Sequence, residues 1–153
     1  MIKELVKFAA GYRLRNLKPQ VGREGYGWSA SIYKDSKKIG TAFDDASGGP
    51  VHIDLPQHEL DALIAVGKAI PDASSFEPAE YFLSLLSEYT QAVSRMVRAN
   101  KKYPIVLKDD LLDESGIPTS YAQFKCANTP ENLAAIRAKN RGVRLFDDEI
   151  SLW

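Results

Sequence analysis

A chain of 153 residues, 44% of them hydrophobic, has the length of one ordinary globular domain with a core of its own, and it is too short for a βα barrel. Lys plus Arg number 20 and Asp plus Glu number 20, so the net charge is zero. That excludes a uniformly basic nucleic-acid binder and an acidic DNA mimic, unless the charge is segregated on one face.

Residues 12–17 alternate in part and read as a strand beside the hairpin that follows. In residues 26–33, Tyr26, Trp28, Ala30 and Ile32 fall on one face, with Gly27, Ser29, Ser31 and Tyr33 on the other. Period two with one polar face predicts a half-buried antiparallel strand, its apolar set inward. Residues 34–37 form a turn, and 38–43 return with Ile39, Thr41 and Phe43 on one face. The loop 44–50 ends this sheet. Residues 51–55 alternate again, with Val51, Ile53 and Leu55 inward and His52 and Asp54 outward. Pro56 opens a helix through about Ile70, since proline suits a first turn.

The stretch 71–78 is rich in turn formers and reads as an internal linker, but neither flank is large enough to stand as a domain. A long helix spans 79–100, with Phe82, Leu85, Leu86, Tyr89, Val93, Met96 and Val97 as its apolar stripe. Residues 104–107 read as a buried strand, 115–118 as a turn and 121–127 as a strand. Thr129 caps a helix with Pro130 in its first turn, Gly142 ends it, and 143–146 read as a last strand. The expected fold is α+β in a single compact domain over 1–153: an N-terminal antiparallel sheet, two central helices, then strand-strand-helix-strand.

Cys126 is the only cysteine, which excludes an intrachain disulfide and a multi-thiolate zinc site. On its predicted strand it reads as a small core residue. Residues 1–5 carry one charge of each sign and no long apolar run, so no secretory leader is expected. No apolar stretch approaches the roughly 20 residues that cross a bilayer. The expected setting is the cytoplasm, away from membranes.

Several groups are candidates for chemistry. Gly48 and Gly49 could turn backbone amides toward an anion, although a phosphate loop wants a helix after it and Pro50 removes a donor. The plainer reading is a tight connection between strands. His52, Asp54 and His58 are the candidate metal ligands, lacking a third ligand of set geometry; the plainer reading is a solvated strand edge and an acid-rich helix start. The acid pairs Asp44-Asp45, Asp109-Asp110 and Asp147-Asp148 suit Mg²⁺, and suit turns equally. Arg95 and Arg98 on the long helix, with Arg137 and Arg144 near the chain end, form a phosphate-binding patch if they adjoin; otherwise they are solvated helix faces. Tyr33 and Tyr12 could stack bases beside such a patch. No set of residues makes a catalytic constellation, so no catalytic residue and no cofactor is assigned.

The run 33–40, then 42–50 with Asp44-Asp45-Ala46-Ser47-Gly48-Gly49-Pro50, resembles a family of small uncharacterised bacteriophage and mobile-element proteins. Their N-terminal hairpin ends in a loop of the form Asn/Asp-x-Gly-x-Gly-Gly. Residues 139–148 are similar to that family's closing helix, glycine and strand. Here Ala46 replaces the first loop glycine, and Asp35-Ser36 replaces an Asp-Gly turn. The resemblance implies a phage or prophage accessory protein and carries no activity.

The expected function is therefore non-enzymatic: binding a host or phage protein in the bacterial cytoplasm, with inhibition of a host defence system as one form. The alternative is a nucleic-acid or nucleotide binder using the basic groups, Tyr33 and the Gly48-Gly49 loop. A metal-dependent enzyme built on His52, Asp54 and His58 is a third.

Overall fold

A computed structural model describes residues 2–71, 77–108 and 120–153. Helix α1 (Ile2–Ala9) leads into strands β1 (Tyr12–Gly22), β2 (Gly25–Lys34), β3 (Lys37–Asp44) and β4 (His52–Asp54). Helices α2 (Gln57–Lys68) and α3 (Pro78–Asn100) follow. Then come β5 (Ile105–Val106), β6 (Ala122–Gln123), α4 (Pro130–Lys139), α5 (Phe146–Glu149) and a closing 3-10 turn, Ile150–Leu152. The fold is α+β, as expected. The chain falls into two compact units, Ala9–Thr90 and Met1–Phe8 with Gln91–Trp153.

The first unit is built on a four-stranded antiparallel meander in the order β1-β2-β3-β4. Trp28, Ala30 and Ile32 alternate along β2 and are buried, with Tyr12, Leu14 and Ala42 beside them on the same face. Phe82 of α3 meets the Tyr12 ring edge-on at 5.7 Å, so this face carries the core. Gly67 of α2 lets the start of α3 press close: a Cβ there would lie 2.1 Å from the Pro78 carbonyl oxygen. Ser87 and Thr90, buried on α3, donate their hydroxyls back to the Ser84 and Leu86 carbonyls at 2.8 and 2.7 Å. The β2–β3 turn places Asp35 and Ser36 at φ 46° and 70°, the left-handed pair that a two-residue hairpin requires.

Glu80, in the first turn of α3, accepts the Val51 amide at 2.9 Å. Burial raises its carboxyl above the ordinary range; the Val51 bond opposes that, and Glu77 and Asp44 reinforce it.

The second unit is held by polar bonds as much as by apolar ones. Buried Asn100 accepts the Ile105 amide at 2.9 Å and donates to Asp147 at 3.0 Å. Asn128 donates to the Asn100 carbonyl at 2.7 Å and also reaches Asp147. Buried Glu149 accepts from the Ile2 amide at 3.2 Å and from Arg144 Nε at 3.0 Å. Thr129 caps α4 as the sequence predicts, its hydroxyl accepting the Asn132 amide.

Four expectations are corrected. The chain opens with a helix, not with the N-terminal sheet that the sequence predicts: Ile2, Leu5 and Ala9 are buried on one side of α1. Tyr26 is 86% exposed, because the β1–β2 hairpin runs beyond the core that buries Trp28. The strand over 121–127 shrinks to β6, and Cys126 is half-buried. The last strand reduces to one bridge, Val106 to Leu145, after which the acids of 147–149 start α5. Most of the linker 71–78, the Asp109-Asp110 pair and the turn 115–118 lie outside the described residues.

Candidate functional site

Only one face of the meander carries the core, so the other defines a surface by register. Arg13, Tyr33 and Lys38 lie in one cross-strand row. Arg15, Ser31, Thr41 and Asp54 form the next, and Lys18, Ser29, Phe43 and His52 the third. A bulge sets this arrangement. Alternation from Arg15 would send Lys18 to the core side, but the register shifts between the two, with Asn16 at φ 55°. The inserted residue restores Lys18 to the outer face. A second shift, between Ile32 and Tyr33, leaves Ile39 without a partner and keeps Lys38 beside Tyr33.

The surface is polar at its centre and ringed at its edges. The Arg15 guanidinium lies 4.6 Å over the Tyr33 ring centroid. Phe43 and His52 stack at 4.5 Å with their planes 17° apart. Between them is an open trough of about 330 Å³, floored by Ser29 and Ser31 and flanked by Asn16 and Lys18 on one side and Thr41 and Phe43 on the other. Arg15, Lys18, Lys38, Phe43 and His52 are exposed, and Tyr33 is half-buried. Tyr12, offered by the sequence as a stacking partner, is fully buried on the core side.

Gly48 and Gly49 lie exposed in a loop that is closed from within. The Asp44 carboxylate accepts the Ala46 amide at 2.8 Å, and Asp45 accepts the Ser47 amide at 3.0 Å and its hydroxyl at 2.5 Å. The two Ser47 bonds hold the Asp45 carboxyl below its ordinary range. The Glu24 amide donates to the Ala46 carbonyl at 2.7 Å. The Glu24 carboxylate covers Gly48, where a Cβ would come within 2.3 Å of it. Two loop amides and the space over Gly48 are thus taken up by the chain's own carboxylates.

His52 and Asp54 face outward on β4 as predicted, in separate rows, and His58 approaches Glu59 at 3.6 Å. Among the described residues, no group of three His, Cys, Asp or Glu side chains could hold a metal ion. The four candidate arginines all belong to the second unit. Arg95 and Arg98 are exposed on α3, whereas Arg137 pairs with Asp148, and Arg144 with Glu149 at 2.9 Å. Asp147, the other half of that acid pair, sits in the Asn100–Asn128 network.

Sequence reasoning missed Arg15, Lys18 and Phe43 as site residues. The available signal was the break in alternation after Arg15, where Asn16-Leu17 falls out of phase with the strand before it. No helix among the described residues is long and apolar enough to cross a membrane. The chain matches no family model, no curated protein and no solved structure.

Proposed function

We propose that this protein works by binding, as an accessory protein of a phage or mobile element, and that the open face of the β1–β4 sheet is its working surface. The observation that supports this is the row arrangement: Arg15, Lys18 and Lys38 project from a face whose only carboxylate in register is Asp54. A chain of zero net charge that gathers cations on one face is suited to a partner carrying negative charge. In the cell the partner would be a host or phage macromolecule. Occupying it would block its normal contacts, and inhibition of a host defence factor is one such outcome.

The test is affinity capture from host lysate with the natural chain and with the Arg15→Glu/Lys18→Glu variant. A stoichiometric partner retained by the first and lost by the second is expected. Equal capture by both would move the surface elsewhere.

A second reading has its own observation. At the end of the β1–β2 hairpin, Val21 and Tyr26 pair across the strands and are 78% and 86% exposed. An apolar pair held clear of the core is suited to a protein partner. Capture that survives the charge reversal but fails in Val21→Ser/Tyr26→Ser would favour this reading.

A further inference from the structure

We infer that the ligand of the open sheet face is a single strand of nucleic acid, with its phosphates on Arg15, Lys18 and Lys38 and a base in the trough beside Phe43. This rests on the binding reading above and names the chemical class of its partner.

Three features on one face point the same way. The first is charge: three exposed cations stand on it with Asp54 as the one acid in register, so a polyanion is attracted and a neutral or basic partner is not. The second is the rings. Phe43 is 43% exposed and His52 is exposed, and their near-parallel stack offers a flat edge on which a further ring can continue. Arg15 over Tyr33 makes a second planar platform two rows away. Base stacking of this kind tolerates any sequence, because every base has a π-face. The third is the trough. It is open to solvent, and the hydroxyls of Ser29, Ser31 and Thr41 at its floor and wall both donate and accept hydrogen bonds, as the edge of a base requires.

Other polyanions use fewer of these features. In a duplex the bases are stacked within the helix, so the ring pair and trough would stay empty. An acidic protein segment would engage the cations and leave the rings without planar partners. A single strand uses all three, because its bases splay outward while its phosphates stay regularly spaced. The rows repeat about every 7 Å along the strands, which spreads the cations along an extended backbone rather than around one anion.

Fluorescence anisotropy with labelled oligo-dT and oligo-rU tests this, alongside a duplex of the same length and an acidic polypeptide, poly-glutamate. Binding of one or both single strands in preference to the duplex is expected, and the two arms decide between DNA and RNA. The logarithm of affinity should fall against that of salt with a slope of about −2, from three phosphate contacts. Phe43→Ala should weaken binding by roughly tenfold. Lys18→Glu should weaken it and flatten the slope by about 0.7 or more. Melting curves of each variant report folding, and His52→Ala supplies a second stacking variant should Phe43→Ala unfold.

Equal affinity for duplex and single strand, or unchanged affinity in both ring variants, would overturn the inference. Binding of poly-glutamate but of no oligonucleotide would overturn it while supporting the wider reading of an anion-facing surface. Failure of every polyanion would overturn both.

Discussion

The paired arginines of the second unit and the open cations on the sheet face of the first are basic residues used in opposite ways. In the second, Arg137 is paired with Asp148 and Arg144 with Glu149, and Asn100, Asn128 and Asp147 satisfy one another. The Asn100–Asp147 and Ile2–Glu149 bonds join segments distant in the chain, and Glu149 and Asn100 are buried. In the first unit, Arg15 rests on a ring, and Lys18 and Lys38 stand exposed on a sheet face whose centre is Ser and Thr. Buried polar groups need partners within the fold, or they cost the full loss of their hydration. Cations on an open face carry no such demand. What separates a charge fixed by the fold from one left open is therefore its partner, not its position on a helix or in a basic cluster.

The contrast can be broken most severely at Asn100. Asn100→Ala leaves the buried Ile105 amide without its acceptor and is expected to cost about 2–3 kcal/mol, read as a lowered urea midpoint. A loss below about 0.5 kcal/mol would show that the polar network holds little together. Next is Gly27→Ala in β2. Its Cβ would lie 2.1 Å from the Asp44 carbonyl oxygen, so β3 must move, at about 1–3 kcal/mol. The same variant should disturb oligonucleotide binding by displacing Phe43.

The direct comparison is between two arginines. Arg144→Ala removes a charged donor from buried Glu149. Because the Arg144 side chain is 42% exposed, solvent screening limits the expected loss to about 1 kcal/mol. Arg15→Ala should stay within about 0.5 kcal/mol of the natural chain in the same unfolding experiment, while lowering affinity for anions. Equal losses would erase the distinction between the units.

The smallest effect is expected at Glu80. Its carboxyl is raised by burial, so the folded state binds a proton there more tightly than the unfolded chain. This contributes stability that is complete below the ordinary carboxyl value of 4.5 and is lost as pH rises through the folded value. Glu80→Gln keeps an acceptor for the Val51 amide. It should slightly stabilise the fold at neutral pH and flatten that part of the stability–pH curve.

Much of the fold is legible in the sequence, because it follows from periodicity and capping. Trp28, Ala30 and Ile32 mark β2, Ile53 sets the phase of β4, and Thr129-Pro130 starts α4. The misses have physical causes. Helix α1 is eight residues long, too short for a convincing period. Tyr26 keeps the phase of its strand but lies beyond the reach of the core, and alternation cannot report how far a core extends. The candidate surface was half visible. Alternation puts Ser29, Ser31 and Tyr33 on the polar face, but Lys18 joins them only through a bulge at Asn16, which changes phase without changing composition. The arginine groups are conspicuous by count, yet the carboxylate partners of Arg144 and Arg137 lie 5 and 11 residues away in the chain, where local pattern gives no sign of pairing.

Among the described residues, the non-glycine positions with left-handed backbone are Ala10, Asn16, Asp35, Ser36 and Ala46, all within or beside the sheet. Asn and Asp accept that conformation readily, whereas Ala10, Ser36 and Ala46 enter it against preference. The β2–β3 turn therefore lacks the glycine that makes an Asn-Gly turn favourable by itself. The packed sheet thus holds Ser36 and Ala46 in a conformation that their side chains disfavour, and the contacts of the surrounding strands offset that local cost.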